Sequence, residues 1–151
     1  MKNYKRVVAT GLGLCAMLLF GALNALIMNY SDWLTELCRP AFSSTLHSII
    51  WLCDYLVTAM VFGEFFIEKR LRKYISLPTF AQVLNAVWCL VFFRLHNSIV
   101  PVFILALLFA VHLVVVIVCT KNTGIFFIFP SLLLFWYAYL FGTCIAIAVL
   151  N

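Results

Sequence analysis

Five blocks of about twenty nearly uninterrupted apolar residues divide this chain, and no other feature constrains its fold as strongly. They run roughly 7–28, 46–66, 75–93, 99–120 and 124–150. A helix of that length matches the hydrocarbon core of a bilayer. A transmembrane barrel would instead alternate apolar and polar residues over segments of about ten. The composition agrees: of 151 residues, 66% are apolar and 10% charged. A soluble domain averages roughly half and a quarter. A water-soluble enzyme, a nucleic-acid binder and a disordered chain are thereby excluded. The fold class read from this pattern is an all-α polytopic membrane protein, a bundle of five transmembrane helices forming one domain over 1–151.

The connections carry the charge. Lys2, Lys5 and Arg6 precede the first block, Lys69, Arg70, Arg72 and Lys73 follow the second, and Lys121 precedes the fifth. In a five-span arrangement those cations share one side, and only Arg39 and Arg94 fall on the other. The positive-inside rule then places the N-terminus in the cytoplasm and the C-terminus outside. Lys2 to Ala25 also has the basic start and apolar middle of a signal peptide, but the apolar run continues through Leu26, Ile27 and Met28, long for such a region. Pro78 and Pro101 fall where a helix begins, Pro101 three residues after a candidate cap, Ser98. Pro130 lies further into its block and predicts a bend. The six cysteines contain no C-x-x-C pair and read as small apolar filler, with no zinc site.

Polar side chains within the apolar blocks are expensive and need a partner or a cavity. Trp51, Asp54, Tyr55 and Thr58 follow i, i+3, i+4, i+7 spacing, which places them on one face of the second helix. Gln82, Asn85, Trp88 and Phe92 form a similar stripe on the third. Turned toward each other, the stripes would line a pocket with flat aromatic walls and a few hydrogen-bonding groups, suited to a flat, mostly apolar ligand. The plainer readings are that Asn85 is interhelical packing glue, Phe92 core filler, and His112 a satisfied donor between helices. Asp54 lies about 12 Å inside its span. It reads either as a neutral acid donating a hydrogen bond near Tyr55 or Thr58, or as a proton or cation site. Gly21-x-x-x-Ala25 and Ala138-x-x-x-Gly142-x-x-x-Ala146 would allow close backbone approach, within the bundle or between protomers.

Leu84-Asn85-Ala86-Val87-Trp88-Cys89-Leu90-Val91-Phe92-Phe93 resembles the L-N-x-x-W-x-x-x-F-F signature of the translocator protein family, the tryptophan-rich sensory proteins or peripheral benzodiazepine receptors (TspO/MBR). Trp33 followed by Arg39-Pro40-Ala41-Phe42 is similar to that family's first loop. Trp51-Leu52-Cys53-Asp54-Tyr55 is similar to its W-T-x-L-Y, and Pro130 with Ala138 keeps the spacing of its fifth span. The chain departs from the pattern at Ser44-Thr45, Ser131, Leu134 and Phe141-Gly142, and in the acidic Asp54.

The resemblance implies a five-helix bundle, often a homodimer, whose pocket opens toward the first loop. It implies a tetrapyrrole such as protoporphyrin or haem, or a sterol, as ligand, with no required cofactor. Residues of the family's ligand site map to Trp51, Tyr55, Asn85, Trp88, Trp33, Pro40 and Trp136. The family's sterol motif is absent, since no Lys or Arg follows Lys121, which favours porphyrin. The expectation is a membrane receptor, sensor or carrier in a bacterial cell membrane rather than a mitochondrial outer membrane. It is not read as an enzyme, although the family has been linked to light-driven porphyrin breakdown. The alternatives are a proton-coupled transporter using Asp54 and a structural subunit of a membrane complex.

Overall fold

The computed structural model describes the backbone of residues 2–28, 44–123 and 127–151, and the side chains of 4–5, 7–26, 49–123 and 127–151. Trp33, Pro40 and Arg39 lie outside those residues, as does the side chain of His47. The described chain forms five long helices: α1 (Lys2–Met28), α2 (Ser44–Ile67), α3 (Ser76–Cys89), α4 (Val100–Asn122) and α5 (Ile128–Leu150). A π-helical turn, Leu90–Arg94, extends α3. Taken with its flanking 3-10 and π turns, α3 belongs to a run of 23 residues, Arg72–Arg94, and five such helical runs are long and apolar enough to cross a membrane. Among the described residues there is no strand.

The protein is an integral multi-pass membrane protein, and its surfaces show why. Leu19, Phe103, Phe135 and Val149 point outward. Asn24, Asp54, Thr58, Gln82, Asn85 and His112 are buried. Water would reward the opposite distribution. In lipid the apolar faces are already solvated, and polar groups gain only by meeting each other.

Around the bundle the helices follow the order α1, α2, α5, α4, α3, and α3 returns to α1. α2 also meets α3 across the interior. The α1–α2 seam is the tightest. A Cβ on Gly21 would stand 2.7 Å from the Tyr55 ring, and one on Gly63 would run into Thr10. Gly21 therefore serves packing within the bundle, whereas Gly142 faces open space.

The helix ends differ from the sequence reading in two places. α5 starts at Ile128, so Pro130 lies in its first turn, where a missing N–H costs nothing, and does not bend a helix already under way. The amides at the start of α4 are met by Asn97, not by Ser98. The Asn97 carboxamide oxygen accepts from the amides of Ile99 at 3.0 Å and Val100 at 2.8 Å. His96, with φ of 50°, makes the left-handed step that aims Asn97 at these amides. At the other end, 3-10 turns carry the basic loop from α2 to α3, and buried Leu71 anchors it against Val61, Phe65, Val115 and Val118.

Candidate functional site

Toward the end of the bundle where α2 begins and α3 finishes, the two stripes meet. Trp51 and Trp88 are both buried, with ring centres 6.0 Å apart and planes at 38°. Tyr55 stands edge-on to Trp51 at 6.2 Å. Phe92 stacks on Trp88 at 5.4 Å and 8°, and Phe93 meets Trp88 edge-on at 5.7 Å. In an α-helix, residues five apart point away from each other. The i→i+5 repeat of the π turn brings Phe93 inward beside Phe92, so both phenylalanines reach the same indole.

Asn85 sits one turn before Trp88 on the inner face of α3 and is 1% exposed. Its side-chain oxygen has no hydrogen-bond partner among the described residues. The packing-glue reading called for such a bond to a neighbouring helix, and none is present there. Tyr55 is differently placed: its hydroxyl accepts from Asn24 Nδ2 at 2.9 Å, tying α2 to α1. Trp51, Tyr55, Asn85 and Trp88 are thus brought together on the interior. Trp136 is not drawn into the same inward position. It is half-buried at the edge of the core and stacks on exposed Tyr139 at 5.4 Å, while its neighbour Tyr137 points inward.

Tyr137 belongs to a second cluster, centred on Asp54 about midway along α2. Its hydroxyl donates to Asp54 Oδ2 at 2.9 Å. Gln82 Nε2, from α3, lies 3.3 Å from the same oxygen and donates to Thr58 Oγ1 at 3.1 Å. Thr58 Oγ1 is 3.4 Å from Asp54 Oδ1. From α4, the His112 ring packs against Tyr137 with centres 4.1 Å apart. His112 Nδ1 is 3.1 Å from the Leu108 carbonyl oxygen. A carbonyl can only accept, so Nδ1 carries a proton. Beside these groups lies a cavity of about 10 Å³, lined by Thr58, His112, Pro78 and Pro130, with room for about one water.

The geometry changes one part of the reading of Asp54, its partner Tyr55. The carboxyl does face the interior near Thr58, but its principal partners are Tyr137 and Gln82, and Tyr55 is engaged elsewhere. Asp54 Oδ2 accepts from Gln82 Nε2, the donor end of that carboxamide. Asn24 was missed altogether, although it is a carboxamide inside the first apolar block and so could have been noticed. Tyr137 had no comparable signal. It lies among Trp136 and Tyr139 on a helix apolar all round, where spacing does not mark an inner face.

What the two clusters can do follows from their atoms. The aromatic cluster can hold a flat apolar molecule and offer it one hydrogen-bonding carboxamide. The Asp54 cluster can hold or release a proton, and it links four helices in doing so. Among the described residues, no three His, Cys, Asp or Glu side chains converge as a metal site. No protein-family model matches the chain, and no curated protein matches it. The likeness to the translocator protein family therefore rests on the residues themselves.

Proposed function

We propose that the protein is a membrane binding protein of translocator-protein type, taking a flat hydrophobic ligand of the tetrapyrrole class, ahead of a sterol, between α2 and α3. The reading rests on Asn85, a buried carboxamide one turn before Trp88: its oxygen is unmatched, as are those of Asn24 and Gln82, but unlike them it makes no hydrogen bond to another helix among the described residues. Leaving such a group unbonded costs roughly 1–3 kcal/mol, which a ligand donor would recover. A flat ring inserted between Trp51 and Trp88 needs roughly twice a contact distance of about 3.5–4 Å. The 6.0 Å between ring centres is short of that, so binding parts the two indoles by an ångström or two. Trp33 and Pro40, in the first loop, would cover the ligand. The reading takes the activity to be recognition and carriage rather than catalysis.

Titration of the purified protein with protoporphyrin, followed by tryptophan emission, tests this. Saturable quenching is expected, weakened by roughly 1–3 kcal/mol in Asn85→Ala. Quenching that never saturates, or that Asn85→Ala leaves unchanged, removes the reading. In the same proposal the basic end faces the cytoplasm, so a C-terminal reporter is active only on the outer side.

A second reading has its own support. Asp54 is hydrogen-bonded to groups on α2, α3 and α5, with His112 of α4 alongside, so a proton gained or lost there is felt by four helices. Such a device suits a proton-coupled carrier. Flux of porphyrin into liposomes would then depend on pH in the wild type and lose that dependence in Asp54→Asn. Flux that ignores pH in the wild type eliminates this reading.

A further inference from the structure

At the basic end, away from both clusters, a groove of about 450 Å³ opens between α1 and α2. Tyr4, Lys5, Val8, Ala9 and Leu12 line it from α1, with Phe66 and Ile67 from α2 and Lys69 and Arg72 from the loop beyond. Lys5, Val8, Ala9 and Leu12 follow i, i+3, i+4, i+7 spacing, so one face of α1 runs from a cation to an aliphatic wall within two turns. The lining holds three cations and no acid. Arg72 is held in place: its Nε donates to the Phe66 carbonyl at 2.9 Å, and its guanidinium carbon lies 5.9 Å from the centre of the Phe66 ring. Those contacts leave its terminal nitrogens for an anion. Exposed Tyr4 stands at the mouth, where an aromatic residue suits the headgroup level of a bilayer.

We propose that this groove binds one anionic phospholipid, its headgroup phosphate on Lys5, Lys69 and Arg72 and an acyl chain along Val8, Leu12 and Phe66. The cations alone would suit any phosphate. The apolar wall continuing from them toward the membrane interior selects the lipid, because a free anion gains nothing from Leu12 or Phe66. A basic pocket between helix ends at the bilayer surface has the chemistry that anionic headgroups recognise. Occupancy would seal the α1–α2 seam at the end opposite the aromatic cluster.

Native mass spectrometry of the full chain in detergent, with equal dioleoyl phosphatidylglycerol and dioleoyl phosphatidylcholine, tests the site. One phosphatidylglycerol should be retained in preference to phosphatidylcholine. Lys5→Gln with Lys69→Gln, which spares the Arg72 contact with Phe66, should weaken that retention about tenfold to thirtyfold. Arg70→Gln with Lys73→Gln removes the same charge from outside the groove and should leave retention within about twofold. Val8→Trp, which fills the groove at constant charge, should abolish it. Equal losses in the two charge-neutralised pairs would show diffuse surface attraction and overturn the proposal. So would displacement of the lipid by millimolar inorganic phosphate, or undiminished retention in Val8→Trp.

Discussion

Two buried polar side chains in the same interior have been treated in opposite ways. Asp54 is approached by a tyrosine, a glutamine and a threonine from three helices. Asn85 is equally enclosed, yet its oxygen meets no donor among the described residues. In hydrocarbon an unmet polar group is costly, and the alternative to a partner is not water. A side chain that holds helices together therefore shows its bonds in the free protein. The Asn24 and Gln82 oxygens are also unmatched, but each of those side chains bonds another helix through its nitrogen; Asn85 shows no such bond among the described residues. Tyr55 follows Asp54 in the chain, and its bond to Asn24 assigns it to the first kind: it fixes α1 on α2 while its ring forms a wall beside Trp51.

The contrast can be broken by substitution. The largest effect should come from Asp54→Ala, which strands the Tyr137 hydroxyl and removes an acceptor from Gln82 and Thr58. A loss of roughly 3 kcal/mol or more is expected, read as a lower unfolding midpoint in detergent. An unchanged midpoint would mean the cluster does not clamp the bundle. Gly21→Val pushes a branched side chain into the Tyr55 ring and should cost roughly 1–3 kcal/mol by overpacking, with loss of the Asn24–Tyr55 bond. If it melts like the wild type, the α1–α2 seam is looser than described.

Asn85→Leu should behave unlike either. Protoporphyrin affinity should fall by roughly 1–3 kcal/mol while the ligand-free protein melts no earlier, because no hydrogen bond is given up. Parallel losses of stability and binding would make Asn85 a structural residue after all. Tyr137→Phe should have the smallest effect. It deletes one interhelical hydrogen bond, worth about 1 kcal/mol in membrane proteins, and should leave porphyrin quenching unchanged. Weakened quenching in this variant would couple the two clusters.

Much of this arrangement was legible residue by residue. The spacing of Trp51, Asp54, Tyr55 and Thr58, and of Gln82, Asn85 and Trp88, named faces that the fold buries. α2 and α3 carry enough polar and aromatic residues for a helical period to be visible. The inward turn of Phe93 was not legible, because a π turn changes the period on which such reading depends. Nor was the choice of Tyr137 over Trp136. α4 and α5 are apolar on every side, and a helix without contrast does not reveal its rotation. Asn97 rather than Ser98 meets the first amides of α4 through the left-handed step at His96, a backbone detail that residue type does not announce.

Span number, span length and the separation of a basic end from the rest follow from the sequence alone, because insertion into a bilayer responds to local hydropathy and local charge. The fold class was therefore determined before any contact was known. Which polar groups meet was decided by tertiary structure. Tyr137 reaches Asp54 across 83 positions of sequence, and Asn24 reaches Tyr55 across 31. Lipid offers the helices no hydrophobic reason to prefer one rotation over another. Close packing at Gly21 and Gly63 and the cost of an unmatched hydrogen bond supply that preference, and both exist only once the helices are side by side.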